Sequence, residues 1–382
     1  MYLRSLVQIS AREDRKSNTA RYPTHERHRG IAAGMEVIMR VLVTGANGHL
    51  GFMLVKKLVE SGHTVRASVR SATDMDKTSR LRMLAGVEIV EAQLARADQM
   101  RAAMAGIEVV FHAAAVYAYT RPERNQEMIE ASVQGAETAV RCAADTGVRK
   151  LILTSSVVTL PLTAPGAPPV DETAWTEDLS VPYVRAKTEG ERNAWRVARE
   201  RGVNMVAILP GAILGPGFAR NTPSIDLVEM MALGGLRMGV PELNFPLVDV
   251  RDVVDAHLRA AEQDCEGRFI VCNDVLPTLR DMLQALHEID PAIPLPMLPL
   301  PGFMVRFLPA FDRLNHLMLH SPLTVSPEFM RMNKGKRWNA SNRRIKEVLG
   351  WRQQITMKTS LADTLAVLRQ RTTAKHGVAQ SA

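Results

Sequence analysis

Arg40-Val41-Leu42-Val43-Thr44-Gly45-Ala46-Asn47-Gly48-His49-Leu50-Gly51 decides the fold. Its first five residues are an apolar run too short for a helix, so they read as a buried strand. Residues 49–61 then carry Leu50, Leu54 and Leu58 at helical spacing and stop at Gly62. Between strand and helix stand three glycines, three residues apart. Glycine lets the backbone turn sharply and approach a pyrophosphate, and the helix start adds free N–H groups and a positive dipole end. Gly45, Asn47, Gly48, His49, Leu50 and Gly51 are therefore the candidate cradle for a dinucleotide.

The alternation continues outward. Further strand patterns lie at 64–69, 87–90, 108–112, 150–154 and 204–209, with helical patterns between them at 127–146 and 183–201. Strands alternating with helices predict an α/β fold, a Rossmann-like doubly wound parallel sheet covered on both faces. After Pro210 the regularity weakens. Residues 224–233 look helical, 246–258 and 268–271 look like a return to the sheet, and an amphipathic helix spans 360–368. The expected division is a dinucleotide-binding domain over 39–213 and a smaller C-terminal substrate-binding lobe over 214–371. Segments at about 246–273 return to the first domain, and 372–382 form a polar tail.

Composition narrows the function classes. The chain has 382 residues, 46% apolar and 23% charged, an ordinary globular balance that excludes wholesale disorder. No run of about 18 apolar residues occurs, so no transmembrane segment is expected. The apolar, proline-rich stretch 291–305 leaves peripheral membrane contact as a variant. Forty-eight basic against 40 acidic residues give a diffuse +8, which suits an anionic small ligand and does not mark a nucleic-acid partner. Cys142, Cys265 and Cys272 form no C-x-x-C pair, so neither a disulfide framework nor a metal site is expected, and a cytoplasmic, reducing location is the default. Residues 1–38 mix seven basic with four acidic residues and have no apolar core, so they are not a secretory signal. They read as a disordered extension, or as sequence preceding a start at Met35 or Met39.

Two more constellations carry chemistry. The second strand ends in Ser68-Val69-Arg70-Ser71. Where an acid would bind ribose hydroxyls, Arg70 would instead pair with a 2′-phosphate, with Lys77 and Arg80 nearby. Tyr183 and Lys187 stand at i, i+4, on one face of a helix. An ammonium beside a phenol favours the phenolate and so allows proton exchange near neutral pH. Thr154-Ser155-Ser156, at the end of a strand, offers hydroxyls to a substrate oxygen.

These motifs, with Val110-Phe111-His112-Ala113-Ala114-Ala115, Leu209-Pro210-Gly211-Ala212-Ile213, the segment 248–253 and Leu349-Gly350-Trp351, resemble an extended short-chain dehydrogenase/reductase. The layout is similar to the dihydroflavonol reductase-like branch of the NAD-dependent epimerase/dehydratase superfamily, over roughly residues 39–370. The resemblance implies that Tyr183 exchanges the proton with the substrate oxygen. Lys187 assists it and binds the nicotinamide ribose, and Ser156 orients the substrate, with Ser155 the alternative. It sets Ala113, Ala114, Ala115, Leu94, Thr154, Pro210, Gly211 and Ile213 along the cofactor, and Arg70 at the position that favours NADP(H), NAD(H) being the alternative. The chain departs from the family pattern at His49 for an apolar residue, Gln93 for an acid, and Ser132 for an asparagine. His112 is placed as a packed strand-end residue, and Asp249 and Asp252 as structural acids.

The activity so implied is NADP(H)-dependent reduction of a ketone or aldehyde, or oxidation of the alcohol, by a monomer or homodimer. The substrate is expected to be bulky and apolar, lined by residues such as Met230, Met231, Leu233, Met238, Met297, Leu298, Phe303 and Met304. The alternatives are a nucleotide-sugar epimerase or dehydratase, which Arg220 and Arg237 could serve, and a non-catalytic dinucleotide-binding sensor. Because the fold pattern begins at Arg40, a chain started at Met39 should keep its melting temperature and cofactor affinity. A loss of several degrees in a thermal melt would show that residues 1–38 pack on the core.

Overall fold

The computed structural model describes residues 38–114, 124–237, 239–296 and 327–380. Its first half alternates strand and helix: β1 (Arg40–Thr44), α1 (His49–Glu60), β2 (Thr64–Val69), α2 (Met75–Arg82), β3 (Glu88–Glu91), α3 (Ala97–Met104), β4 (Val109–His112), α4 (Asn125–Asp145), β5 (Lys150–Thr154), α5 (Pro182–Arg201) and β6 (Met205–Pro210). There follow β7 (Ala212–Leu214), α6 (Pro223–Ala232), β8 (Leu247–Asp249), α7 (Val250–Glu262), β9 (Gly267–Val271), α8 (Leu279–Ile289), α9 (Pro327–Asn333), α10 (Arg343–Val348) and α11 (Met357–Gln380).

Seven strands form one parallel sheet in the order β3-β2-β1-β4-β5-β6-β9, the Rossmann arrangement extended by one edge strand. The central strands are buried almost without interruption, as strands covered on both faces must be. One face packs on α1 and α7 through Leu50, Leu54, Leu58, Val253 and Val254. The other packs on α3, α4 and α5 through Met100, Ala139, Val140, Ala194 and Val197. A third cluster joins α6, α8 and α11 through Ile225, Val228, Leu283, Leu286, Leu361 and Leu365.

Local chemistry sets the ends of the elements. Pro182 opens α5 at a first-turn position that needs no N–H, and Gly202 closes it in the left-handed region at φ 67°. Thr278 and Asp281 cap the start of α8 reciprocally.

The stretch 246–258, which reads as a return to the main sheet, does something else. Only Leu247–Asp249 is a strand, and it pairs with β7 in a separate two-stranded sheet. The Asp249 side chain then accepts the Arg251 N–H at 2.9 Å and starts α7, whose apolar residues follow helical spacing. The segment that does rejoin the main sheet is β9, beside β6. The closing helix is also longer than its apolar stripe. Leu361, Leu365 and Leu368 are its buried apolar residues, with Ser360 and Thr364 buried beside them, while the helix runs from Met357 to Gln380.

His49, His112 and His257 are among the buried histidines. His257 is held between Val253 O (2.8 Å from Nδ1) and Thr154 Oγ1 (2.9 Å from Nε2), and His112 meets Thr44 Oγ1 at 3.0 Å. Burial lowers each to about 4. Their folded values lie below the unfolded value of about 6.5, so the stability they contribute is complete above that pH. It is lost as the pH falls from there through about 4. Each should add a slope approaching 1.4 kcal/mol per pH unit, with about 0.9 proton taken up per histidine on unfolding at pH 5. Calorimetry in buffers of different ionisation enthalpy measures that uptake, and His257→Gln should remove about a third of the share due to these three groups. A melting temperature unchanged between pH 7 and pH 5 would refute the assignment of neutral histidines.

Candidate functional site

The candidate residues follow the carboxyl ends of the central strands. The glycine turn follows β1, Arg70 follows β2, Ala113 and Ala114 follow β4, Ser155 and Ser156 follow β5, and Gly211 follows β6. The strand order changes direction between β1 and β4, and ligands of such sheets bind in the crevice that this reversal opens.

The turn after β1 works because side chains are missing from it. Gly45 sits at φ 65°, and a Cβ there would come within 2.7 Å of the Ala114 backbone. A Cβ on Gly51 would lie 2.1 Å from Gly45 O. Gly48 donates to Gly45 O at 2.9 Å and leads into α1, whose start no side chain caps. Its first N–H groups therefore face the crevice unclaimed by a cap, as an anion site requires. The residues present fit a dinucleotide: a close-approach turn, an uncapped helix start and small residues at Ala113 and Ala114. Ala115 lies outside the described residues.

His49 points away from this cradle. Nε2 lies 2.9 Å from Pro216 O, and the ring meets Phe218 edge-on at 5.5 Å. Neutral at ordinary pH, the imidazole donates through Nε2, and its buried Nδ1 has no hydrogen-bond partner. The side chain thus ties the 215–218 loop to the glycine turn.

Arg70 is exposed, and no ion pair among the described residues engages it. It lines a cleft of about 340 Å³ together with Asn47, Ser71, Lys77 and Gln93. Lys77 is paired with Asp74 at the start of α2. Arg80 is turned elsewhere: it donates to Gly217 O at 2.9 Å and stacks on Phe52 at 3.8 Å. Leu94 packs beside Gly135 of α4, so Gln93 rather than Leu94 reaches the Arg70 cleft.

The serines at the end of β5 separate by strand alternation. Ser155 donates to Glu191 Oε2 at 2.5 Å, so its hydroxyl is taken. Ser156 opens a short 3₁₀ turn over Val157–Thr159, and its Oγ accepts the Val158 N–H at 3.3 Å. On α5, Tyr183, Lys187 and Glu191 form one stripe at i, i+4, i+8. Tyr183 packs against the cluster of Val181, Val184, Met332 and Trp338, against which Val158, in the turn that Ser156 begins, also packs. Lys187 Nζ donates to Thr154 O at 3.4 Å. Behind it a cavity of about 40 Å³ is lined by Lys187, His112, Ser132, Thr154 and Glu191, among others. Burial, and then the Lys187 charge, keep His112 neutral, which suits a packed strand-end residue.

Pro210 ends β6, and Gly211 follows where Pro246 O would lie 2.1 Å from any Cβ. Ile213 packs on the core beside it. Asp249 caps α7, and Asp252 accepts the N–H groups of Gln354 and Ile355 at 3.0 and 3.1 Å. Both acids are thus engaged structurally. Among the residues named as apolar lining, Met231 is buried in the third core cluster and Leu233 is 82% exposed. Met238, Met297, Leu298, Phe303 and Met304 lie outside the described residues. Glu191, Arg268 and His257, which support the strand ends from below, were not singled out by motif. Their one signal was position: Glu191 extends the Tyr183–Lys187 stripe, and Arg268 is a charge inside an apolar strand. Among the described residues, no group of three His, Cys, Asp or Glu could hold a metal, and no helix is long and apolar enough to cross a membrane.

Comparison with known proteins agrees with this geometry. The sequence pattern of the NAD dependent epimerase/dehydratase family matches residues 41–272, more than half of the chain. The chain is 31% identical to cinnamoyl-CoA reductase 1 of Petunia hybrida over 268 residues, 67% of this chain and 79% of the relative. It is 30% identical to dihydroflavonol 4-reductase of Zea mays over 273 residues, 67% of this chain and 76% of the relative. The solved structure of gox2253 superposes with a TM-score of 0.73 at 26% identity, covering 87% of this chain and 98% of that one. Yeast methylglyoxal/isovaleraldehyde reductase complexed with NADPH shares the fold, with a TM-score of 0.68 at 20% identity over 86% of this chain and 97% of that one. The chain belongs to the NAD dependent epimerase/dehydratase family, as an extended short-chain dehydrogenase/reductase of the dihydroflavonol reductase-like branch, and is an NAD(P)-dependent oxidoreductase.

Proposed function

We propose that the protein reduces the carbonyl group of a bulky, apolar ketone or aldehyde with NADPH, Tyr183 supplying the proton. The observation that carries this reading is the α5 stripe. Lys187 lies 3.4 Å from the carbonyl at the end of β5, and Tyr183, one turn earlier, packs against the same apolar cluster as Val158 of the turn opened by Ser156. The bound nicotinamide supplies the hydride. Tyr183 Oη donates its proton to the substrate oxygen, and the Lys187 ammonium stabilises the phenolate left behind. Ser156 Oγ donates a hydrogen bond to the same oxygen and holds it within reach. The uncapped start of α1 binds the pyrophosphate, and Arg70 pairs with a 2′-phosphate.

Four observations support the finer points. Arg70 is free of carboxylates in an open cleft, which favours the phosphorylated cofactor. The apolar cluster around Tyr183 favours an apolar substrate. Relatives named as reductases favour reduction as the working direction. The free, buried cysteines fit a reducing compartment such as the cytoplasm. The test is a panel of ketones and aldehydes followed by NADPH absorbance, with a nucleotide-sugar arm. Turnover of the sugar alone would favour an epimerase or dehydratase.

Arg70→Asp should weaken NADPH binding by about 10- to 150-fold, the worth of a charge-assisted pair, while sparing NADH. Titration of each cofactor by fluorescence measures this, and a wild type that already prefers NADH would refute the 2′-phosphate contact. Tyr183→Phe should fold and bind NADPH normally but lose about 10²- to 10⁴-fold in kcat. Lys187→Met should lose both turnover and cofactor affinity, and Ser156→Ala should cost less than the tyrosine change. Near-normal kcat in Tyr183→Phe on a good substrate would move the proton donor elsewhere.

A further inference from the structure

A buried guanidinium lies beneath the candidate site. Arg268, on edge strand β9, is 7% exposed, and all five of its N–H donors find acceptors. Nε donates to Glu191 Oε1 at 2.8 Å. Nη1 donates to Glu172 O at 2.7 Å and Ala174 O at 2.8 Å. Nη2 donates to Thr159 Oγ1 at 2.7 Å and Glu191 Oε2 at 3.4 Å. The Trp175 ring covers the guanidinium face at 3.7 Å.

Two chains of hydrogen bonds run from this group to the candidate serine. Through Glu191, which also accepts Ser155 Oγ at 2.5 Å, Arg268 fixes the residue before Ser156. Through the Thr159 hydroxyl, which donates to Ser156 O at 2.9 Å, it fixes the carbonyl of Ser156 itself. Glu191 belongs to the helix that carries Tyr183 and Lys187, one turn beyond the lysine and in the same stripe. The 3₁₀ turn and α5 therefore share one rigid, charge-assisted anchor. Stability alone does not account for it, because well-packed apolar side chains replace buried ion pairs with little or no loss. What apolar packing cannot supply is directed bonds that fix one atom relative to another.

We infer that Glu191 and Arg268 are positioning residues that set the separation between the Ser156 hydroxyl and the Tyr183 phenol. The inference rests on the proposed reductase reading for its functional meaning. The experiment compares the double substitution Glu191→Leu with Arg268→Met, which removes both charges together, with Ser155→Ala, which cuts only the tie to the turn, and with Glu191→Gln, which keeps the side-chain length and one of the two acceptor oxygens.

The double variant should bind NADPH as the wild type does and melt cooperatively, yet lose about 10- to 100-fold in kcat, the range a misplacement of about 1 Å produces. Ser155→Ala should lose kcat in the same direction and by less, again with cofactor affinity intact, and Glu191→Gln, with one acceptor left, should fall between the wild type and the double variant. Wild-type kcat in a folded double variant overturns the inference. If the double variant does not fold, wild-type kcat in Ser155→Ala overturns it. Crystal structures of Ser155→Ala and of the double variant give an arm that needs no turnover. A lengthened Ser156–Tyr183 separation supports the inference, and an unchanged one refutes it. A wild type inactive on the whole carbonyl panel would sink the reductase reading and leave the measured separation to decide the positioning role.

Discussion

The structure depends on a close approach of backbone to backbone. The chain leaves β1, turns at Gly45 and enters α1 by His49, while the end of β4 passes close enough that a Cβ on Gly45 would collide with Ala114. Only glycine accepts both that contact and the left-handed conformation. Gly51 repeats the condition one helical turn later, where α1 lies against the turn it has just left. This packing sets α1 directly after β1 with its first N–H groups at the sheet edge, beside the point where strand order changes direction. A bulkier residue at either position would push the helix off the sheet and close the crevice.

The second half of the chain obeys a similar constraint further along the same edge. Gly211 lets β6 pass into β7 with Pro246 O at what would be bonding distance from a side chain. β7 and β8 then pair as a small sheet beside the main one, and α7 returns the chain to the face that α1 covers. His49 and Arg80 fasten the following loop, at Pro216 O and Gly217 O, to the first helices. The cradle and the start of the C-terminal segments are thus joined by hydrogen bonds to backbone carbonyls, which hold position without requiring a particular side chain opposite.

What the sequence made legible, and what it hid, follows from the range of each interaction. The glycine turn, the apolar strands and the Tyr183–Lys187 spacing are local patterns, and each appears in the structure within a residue or two of its place in the sequence. The stretch 246–258 misled because a three-residue strand and a helix start both show apolar residues. The Asp249 cap that divides them is a single side chain. The Arg268 anchor was hidden for the opposite reason. Glu191 and Thr159 meet Arg268 across 77 and 109 residues of sequence, and no local spacing records such a contact. The apolar methionine and leucine residues showed that a core or a pocket was near, but not which. Met231 went to the core and Leu233 to the surface.

The electrostatics around Lys187 join these parts. A lysine can favour the ionised form of a neighbouring phenol only if no closer carboxylate cancels its charge. Glu191 lies one helical turn away and lines the same small cavity, so left alone it would be such a carboxylate. It is already matched: Arg268, Trp195 and Ser155 donate to its two oxygens. The histidines at the strand ends add no competing charge, because burial keeps His112 and His257 neutral while they hydrogen-bond to the Thr44 and Thr154 hydroxyls. Among the described residues Lys187 has no ion pair, only the Thr154 carbonyl. Its charge is left to act on whatever occupies the crevice beside Tyr183. On the proposed mechanism, a buried ion pair that is neutral overall keeps a neighbouring single charge effective, a role for Glu191 and Arg268 beyond any contribution to stability.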